Sequence, residues 1–223
     1  MTHERPHAHP GSFFVLDGPD GGGKTTQARR LAEWLRSKGL SVTTCRDPGG
    51  TGLGDRLRPI VLDRSETRIG MRAEMMLYQA SRAQLVEEII APALAAGGVV
   101  VSDRYLLANV VYQGTAGGLI EEEIGLVGLV ATGGVLPDLT LVLDIPVELA
   151  RARVGPARDR IEDRPDDYQS RVRSGFLAAL GDGAACPYYP APLVKIDAAA
   201  HADVVFESIK REVEHVLAGR QGG

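Results

Sequence analysis

The sequence has few cysteines, no excess of positive charge and no long apolar run. Its two cysteines, Cys45 and Cys186, lie far apart without metal-ligand spacing, so we expect reduced thiols and no disulfide or zinc site. The formal net charge of −4 argues against a general nucleic-acid binder, because affinity for the phosphate backbone needs a concentrated basic surface. No run is long enough for a membrane span, and residues 1–12 lack the apolar core of a signal peptide. We therefore expect a soluble, cytoplasmic protein with no nucleic-acid or membrane partner.

The composition is that of an ordinary globular protein. Of the 223 residues, 44% are hydrophobic and 24% are charged. A chain of this length often forms one domain. We expect a single domain over residues 12–218, with flexible tails at 1–11 and 219–223.

The stretch from Gly18 to Thr25, GPDGGGKT, fits the phosphate-loop pattern G-x-x-x-x-G-K-[ST]. An apolar run precedes it at 13–16, and apolar residues at helical spacing follow it, so the required strand and helix are both predicted. Backbone N–H groups of such a loop converge on phosphate oxygens. Lys24 would reach the outer phosphates of a nucleoside triphosphate, and the Thr25 hydroxyl would help to hold Mg²⁺. The candidate ATP ligands are Gly18, Asp20, Gly21, Gly22, Gly23, Lys24, Thr25 and Thr26.

Two charged residues follow predicted strands. Arg46 comes after a strand at 41–45 and is suited to grip a second phosphate, although as structure it could simply belong to a turn. Asp103 comes after the apolar run at 99–102. It could hold Mg²⁺ or its waters, or it could cap a helix that begins around Leu106.

Apolar residues spaced by threes and fours predict a helix over 67–96, which Pro92 could kink or end. Tyr78 and Arg82 are one turn apart and share a face of this helix. They would place an aromatic ring beside a planar cation. A buried tyrosine and a surface salt bridge explain the same pattern equally well.

The segment 151–173 contains a concentration of arginines interleaved with acidic residues. A salt-bridged, solvated helical face is one interpretation. The break at Gly155-Pro156 favours a second one, an arginine-rich lid that closes over a nucleotide.

Predicted strands and helices alternate along the chain. The strands lie near Phe13, Val42, Val99, Leu139 and Leu193. Alternation of this kind predicts an α/β fold with a five-stranded parallel sheet covered by helices on both faces.

Together these stretches resemble the thymidylate kinase family. The resemblance runs from Phe13 to about Leu217 in DGPDGGGKTT, RDPGGTGLGDRLR, AEMMLYQASRAQLVEEIIAPAL, SDRY, VYQG, PDLTLVLDIP and DRIE. It implies a P-loop nucleoside monophosphate kinase fold with a short arginine-rich lid at about 152–167. It also implies transfer of the γ-phosphate of ATP to dTMP, giving dTDP, with Mg²⁺ as cofactor and a homodimer as the assembly.

The resemblance also implies roles for single residues. Asp20 would meet the 3′-hydroxyl of dTMP, and Tyr78 would stack on thymine. Arg82 would bond the base carbonyl, Asn109 would lie at the base, and Tyr112 would crowd the 2′ position and favour deoxyribose. The implied dTMP ligands are Asp20, Arg46, Tyr78, Arg82, Arg104, Asn109, Tyr112 and Gln113.

The implied catalytic and metal residues come from the loop, a strand end and the lid. Arg46 and Arg104 would hold the dTMP phosphate. Gly21 stands where one branch of the family has an arginine, so the lid would supply that cation, from Arg153 or Arg158. The implied catalytic residues are Lys24, Asp103, Arg104, Arg153 and Arg158, with Thr25 and Asp103 at the metal. A kinase for another acceptor, or an ATP-binding switch without an acceptor, remains an alternative.

Overall fold

A computed structural model describes residues 9–65, 67–154, 159–181 and 189–221. It contains a five-stranded sheet in the order β2-β3-β1-β4-β5, in which every neighbouring pair is parallel. The strands are β1 (Ser12–Asp17), β2 (Val42–Arg46), β3 (Val99–Asp103), β4 (Leu139–Asp144) and β5 (Leu193–Asp197). The predicted five-stranded parallel sheet is confirmed.

Helices connect the strands and cover the sheet. The α-helices are α1 (Lys24–Ser37), α2 (Gly52–Leu62), α3 (Met71–Leu85), α4 (Ala91–Ala95), α5 (Leu106–Asn109), α6 (Glu121–Thr132), α7 (Val147–Val154), α8 (Asp166–Leu180) and α9 (Ala202–Gln221), with π-helical turns at Val86–Ile90 and Val110–Thr115. Within the described ranges, no helix is both long and apolar enough to cross a bilayer.

The apolar residues of β1 face two separate cores. Phe13 and Val15 belong to the core that includes residues of α3, α5 and α8, whereas Phe14 and Leu16 belong to the core that includes α1 and α9. Successive side chains of a strand point to opposite faces, so a sheet covered on both sides needs a continuous apolar run. This is why the central strands could be recognised as uninterrupted hydrophobic stretches.

One helix, α2, was not predicted. Its sequence, GLGDRLRPIVL, contains two glycines and an internal proline, which are poor helix formers. The helix is started by Thr51, whose side chain accepts a hydrogen bond from the Gly54 amide at 2.9 Å. It packs against α3, so tertiary contacts outweigh its weak intrinsic preference.

The predicted helix at 67–96 begins later and is not uniform. It starts at Met71, passes through the π-helical turn Val86–Ile90 and resumes as α4. Pro92 therefore does not end the helical path. The departure from α geometry lies in the turn just before the proline, where the missing N–H removes a helical hydrogen bond. The other predicted elements are present with shifted ends, and the last helix extends to Gln221.

The register of the strands aligns their carboxyl ends. Asp103 pairs with Leu16 of β1 on one side and with Arg46 of β2 on the other. Asp17 follows Leu16 directly. Two carboxylates and a guanidinium therefore lie on three adjacent strands at the edge where ligands of open α/β sheets bind.

Candidate active site

A cleft of about 880 Å³ lies at this edge of the sheet. Most of the site residues predicted from the sequence line it. They are Asp20, Gly21, Gly23, Lys24, Thr25, Thr26, Arg46, Tyr78, Arg82, Asp103, Arg104, Asn109, Tyr112, Gln113 and Arg153. The predicted donor and acceptor residues thus share one continuous space, while Arg158 lies outside the described residues.

Three glycines of the loop pack closely against the neighbouring elements β4 and α7. Gly18 has a φ of 130°, and a Cβ there would lie 2.5 Å from the carbonyl oxygen of Leu143 in β4. A Cβ on Gly22 would lie 3.3 Å from the same oxygen. Gly21 has a φ of 79°, and its Cβ would lie 2.5 Å from the carbonyl oxygen of Ala150 in α7. Close packing against β4 and α7 therefore requires glycine in the loop.

Lys24 is a nearly buried cation at the start of α1. Its side chain is 7% exposed, and Nζ donates a hydrogen bond of 2.7 Å to the carbonyl oxygen of Pro19. Nζ also lies 3.7 Å from Oδ1 of Asp20. Burial, and then the charge of Arg104, lower the pKa of Lys24. The ammonium group is thus held against the loop at the amino end of a helix, where an anion is favoured.

Thr25 and Asp103 form a pair of oxygen ligands. Oγ1 of Thr25 donates to Oδ2 of Asp103 at 2.5 Å. Asp103 does not cap α5, because the N-cap residue is Tyr105. Across the described ranges, no group of three or more His, Cys, Asp or Glu side chains is arranged for a metal. A hydroxyl and one carboxylate suit Mg²⁺, which keeps several waters and takes its other ligands from substrate phosphates.

Arg104 is the centre of a hydrogen-bond network and has a left-handed backbone, with a φ of 69°. Its Nη1 donates to the carbonyl oxygen of Gly18 at 2.9 Å and lies 3.2 Å from Oδ1 of Asp17. Its Nη2 donates to Asp20 and lies 3.3 Å from the hydroxyl of Tyr112. Tyr112 in turn donates to Oδ2 of Asp20 at 2.9 Å. Three predicted acceptor ligands are therefore joined, with both terminal nitrogens of Arg104 committed to protein acceptors.

The charge of Asp20 is maintained by this network. Burial raises the pKa of Asp20, but the positive charges of Arg104 and Lys24 outweigh burial, so the net pKa is lowered. Asp20 is therefore a carboxylate at neutral pH and can only accept hydrogen bonds.

Asp17 is a site residue that sequence analysis missed. It is fully buried, with Oδ1 accepting from the Gly18 amide at 2.9 Å and Oδ2 accepting from the Ala108 amide at 3.0 Å. Burial raises the pKa of Asp17 to about 6, against the opposing charge of Arg104. Its position after a buried strand is the same signal that drew attention to Asp103.

Arg82 is buried, so the surface salt bridge considered from the sequence is wrong. The residue is 1% exposed, and its Nε donates to Oδ2 of Asp47 at 2.5 Å. Nη1 donates to Gln79 at 2.7 Å and to Asn109 at 2.6 Å, and Nη2 lies 3.3 Å from the carbonyl oxygen of Tyr105. Among contacts within the described chain, one N–H of Nη2 has no acceptor.

Two further arginines lie beside the cleft. Arg46 is 57% exposed and lies 3.6 Å from Asp55. Arg58 of α2 donates to the carbonyl oxygen of Pro48 at 2.7 Å, just after the cis peptide bond between Asp47 and Pro48. Burial and the charge of Arg46 lower the pKa of Arg58. Arg58 was missed because its helix was not predicted.

Five of the described arginines in the segment 151–173 are paired, two of them, Arg151 and Arg171, with acidic residues of the segment itself and three with carboxylates elsewhere in the chain. Arg151 pairs with Asp166, Arg160 and Arg164 with Glu74, Arg171 with Asp167, and Arg173 with Asp144. Arg153 instead donates to the backbone carbonyl oxygens of Ala198 at 2.8 Å and Ala199 at 3.3 Å. The break at Gly155-Pro156 lies outside the described residues, so the lid remains a prediction.

Comparison with known proteins matches most of the chain to thymidylate kinases. The family model described as Thymidylate kinase matches residues 16–188. A thymidylate kinase of Rhodopirellula baltica is 48% identical over 174 residues, covering 78% of this chain and 71% of the relative. A thymidylate kinase of Caldanaerobacter subterraneus subsp. tengcongensis is 40% identical over 210 residues, covering 94% and 98%. One of Neisseria gonorrhoeae is 42% identical over 212 residues, with the same coverage.

Proposed function

The chain belongs to the thymidylate kinase family, and from that premise we propose that it transfers the γ-phosphate of ATP to dTMP, giving dTDP. The observation that carries the proposal is the shared cleft. Its lining combines the phosphate loop with Arg46, Tyr78, Arg82 and Tyr112, which suit an anionic, aromatic acceptor. A nucleotide switch without an acceptor would have no use for this second half of the site.

Catalysis in such a site rests on positioning and electrostatics, because phosphoryl transfer needs no protein nucleophile. We propose that the loop amides and Lys24 hold the ATP phosphates. Thr25 and Asp103 would hold Mg²⁺, which when bound neutralises phosphate charge. The Lys24 ammonium is already desolvated, so little solvent has to reorganise when charge shifts toward it in the transition state.

On the acceptor side, the proposal places the dTMP phosphate near Arg46 and Arg104. The free N–H of Arg82 would bond a base carbonyl oxygen, with Tyr78 stacked on the ring. Asp20 accepts hydrogen bonds at neutral pH, which suits a sugar hydroxyl as partner. Tyr112, fixed by its bond to Asp20, would occupy the space next to the 2′ position.

The additional cation is proposed to come from the lid segment. Gly21 has no room for a side chain beneath α7. Arg153 lines the cleft, and its present bonds go to the backbone carbonyl oxygens of Ala198 and Ala199, which a phosphate could replace as acceptors. Arg158 is the other candidate from the sequence.

A coupled assay with ATP, Mg²⁺ and a panel of monophosphates tests the proposed function. The expected result is that dTMP gives the highest kcat/KM, and that Lys24→Ala removes the signal. Faster turnover of dCMP, AMP or shikimate than of dTMP would overturn it. ATP binding without monophosphate binding in calorimetry would favour the switch protein instead.

We further propose a homodimer. Exposed apolar side chains occur on three helices, α2, α3 and α6, and α3 packs against the other two. They are Leu53, Ile60, Met76, Leu126 and Val130, with exposures between 44% and 83%. A second copy of the chain would cover such a surface. Light scattering should report the mass of two chains, and Val130→Glu should reduce it, whereas Val204→Glu on α9 should not.

A cytoplasmic location belongs to the same proposal. It is supported by the free thiol of Cys45, because reduced cysteines are usual in that compartment.

A further inference from the structure

Glu74 of α3 is a fully buried carboxylate and, among the described residues, is not one of those that line the cleft. Its Oε2 accepts hydrogen bonds from Nη2 of Arg160 and Nη2 of Arg164, each at 2.6 Å. Its Oε1 accepts from Nε2 of Gln113 at 2.8 Å. One buried charge therefore joins the segment 160–164, which lies within the region predicted as the lid, to a residue lining the cleft.

The two arginines are themselves held in place. Arg160 donates to the carbonyl oxygen of Val61 through Nε at 3.0 Å and Nη2 at 2.7 Å. Arg164 donates through Nη1 to the hydroxyl of Tyr168 at 2.5 Å. Because buried charges are stable only when paired, Glu74 fixes where this segment rests on the domain.

The hydrogen bonds continue from Glu74 to the base side of the cleft. Nδ2 of Asn109 donates to Oε1 of Gln113 at 2.5 Å, and Nη1 of Arg82 donates to Oδ1 of Asn109 at 2.6 Å. A carboxylate only accepts and a guanidinium only donates. Glu74 at one end and Arg82 at the other therefore impose the same orientation on both amides between them.

This orientation decides what the cleft offers to an acceptor base. Gln113, Asn109 and Arg82 all line the cleft. If Gln113 rotated its amide, it would exchange a donor for an acceptor at its end of the site. Thymine and cytosine differ in this respect, because cytosine carries an amino group where thymine carries a carbonyl.

We propose that Glu74 is a positioning residue that couples recognition of the acceptor base to the seating of the segment that carries Arg160 and Arg164. This inference rests on the proposed function. A neutral side chain such as Gln at position 74 both donates and accepts hydrogen bonds, so it no longer requires Gln113 to present its amide nitrogen there. It also leaves two partly buried guanidinium groups without their shared anion.

The test measures kcat/KM of Glu74→Gln for dTMP, dUMP and dCMP. We expect the dTMP-to-dCMP ratio to fall at least about fivefold, the lower end of typical coupling energies. The dTMP-to-dUMP ratio should stay constant, because these bases differ only in a methyl group. Both ratios are independent of the fraction of active enzyme, so a loss of folded protein would not change them. Glu88→Gln, a change at an exposed glutamate in the π-helical turn after α3, is the matched control.

Arg164→Gln supplies a second measurement in case Glu74→Gln does not fold. It should lower the same dTMP-to-dCMP ratio, and the double variant should lose little more than Glu74→Gln alone, because both changes break one network. Arg72→Gln, an exposed arginine on α3, is the control.

The outcomes separate this inference from the proposed function. A wild-type enzyme that prefers dTMP, together with an unchanged dTMP-to-dCMP ratio in either variant, overturns the role of Glu74 and leaves the function intact. A wild-type enzyme that does not phosphorylate dTMP overturns the function itself.

Discussion

The hydroxyl of Tyr112 donates a hydrogen bond of 2.9 Å to Oδ2 of Asp20, so a residue of the segment after β3 is fixed to the phosphate loop. Arg104 lies within reach of both groups. The contact orients the tyrosine ring in the cleft. It therefore links the position of the loop to the part of the cleft in which the acceptor sugar is proposed to lie.

Tyr112→Phe should relax discrimination against ribose. The ring stays but loses its anchor on Asp20, so we expect the preference for dUMP over UMP to fall about three- to tenfold, as for one lost hydrogen bond. Tyr112→Ala should lower it further, because the ring is gone. Initial rates with dUMP and UMP measure the effect without a contribution from the thymine methyl group. Tyr105→Phe, which loses a bond to Val135 away from the acceptor, is the control. An unchanged ratio in both Tyr112 variants would refute this role.

Lys24→Ala should abolish transfer while the fold remains. The change removes a positive charge at the phosphates and little core volume, so we expect kcat to fall at least about 100-fold. Steady-state kinetics measure the loss, and circular dichroism checks the fold. Lys38→Ala, at the exposed far end of α1, should behave like the wild type. Near-normal turnover in folded Lys24→Ala would contradict the mechanism.

The sheet and the phosphate loop could be predicted because their signals are local. Continuous apolar runs mark the buried parallel strands, and the loop pattern combines glycines with Lys24 and Thr25 in fixed positions. Helix α2 could not be predicted from its glycines and proline, since packing against α3 stabilises it. Because α2 was not predicted, Arg58 was not recognised as a residue of the site.

The networks of the site could not be predicted from spacing alone. Arg160 and Arg164 are 86 and 90 residues away from Glu74 in sequence, and the acidic neighbours in their own segment offered equally plausible partners. Likewise, a surface salt bridge was one of two interpretations of Arg82, and the residue is in fact buried among Asp47, Gln79 and Asn109. Such contacts depend on how the helices pack on the sheet.

Asp103→Asn should raise the Mg²⁺ concentration needed for activity. Loss of the carboxylate charge weakens the ligand pair with Thr25, and we expect half-saturation to shift about 10-fold or more. Rates measured across a Mg²⁺ titration at saturating ATP give this shift. Asp167→Asn, an exposed change on α8, should leave the titration unaltered. An identical Mg²⁺ profile for Asp103→Asn would argue against a metal at this position.

Asp17 should make the stability of the protein depend on pH. Its pKa in the folded state is about 6, above the ordinary value of 3.8, so the folded state binds a proton more tightly than the unfolded state. The tighter binding of this proton in the folded state stabilises the protein at low pH. This contribution to the free energy of unfolding is lost as pH rises from about 4 through 6. The stability of the wild type relative to Asp17→Asn should therefore fall by roughly 1 to 2 kcal/mol between pH 5 and pH 8.

Urea unfolding of both proteins at the two pH values measures this difference. Asp203→Asn, a change at an exposed carboxylate, should give a smaller change with pH. A difference that rises from pH 5 to pH 8 would show that Asp17 is stabilised as a carboxylate in the folded state, contrary to this prediction.

Gly21→Ala should lower both stability and activity, because two separate penalties act at this position. The backbone has a φ of 79°, and the added Cβ would lie 2.5 Å from the carbonyl oxygen of Ala150. Gly23 also has a positive φ, of 82°, but no atom lies within 4 Å of a Cβ added there. Gly23→Ala therefore isolates the backbone strain of about 1 to 2 kcal/mol.

Thermal unfolding should rank Gly21→Ala below Gly23→Ala in stability, with Gly52→Ala near the wild type. If Gly21→Ala equalled Gly23→Ala, α7 would have room to move, and a cation on the loop would be sterically possible. The expected ranking would instead mean that any side chain at position 21 displaces α7, and it would support the proposal that the additional cation comes from the lid segment.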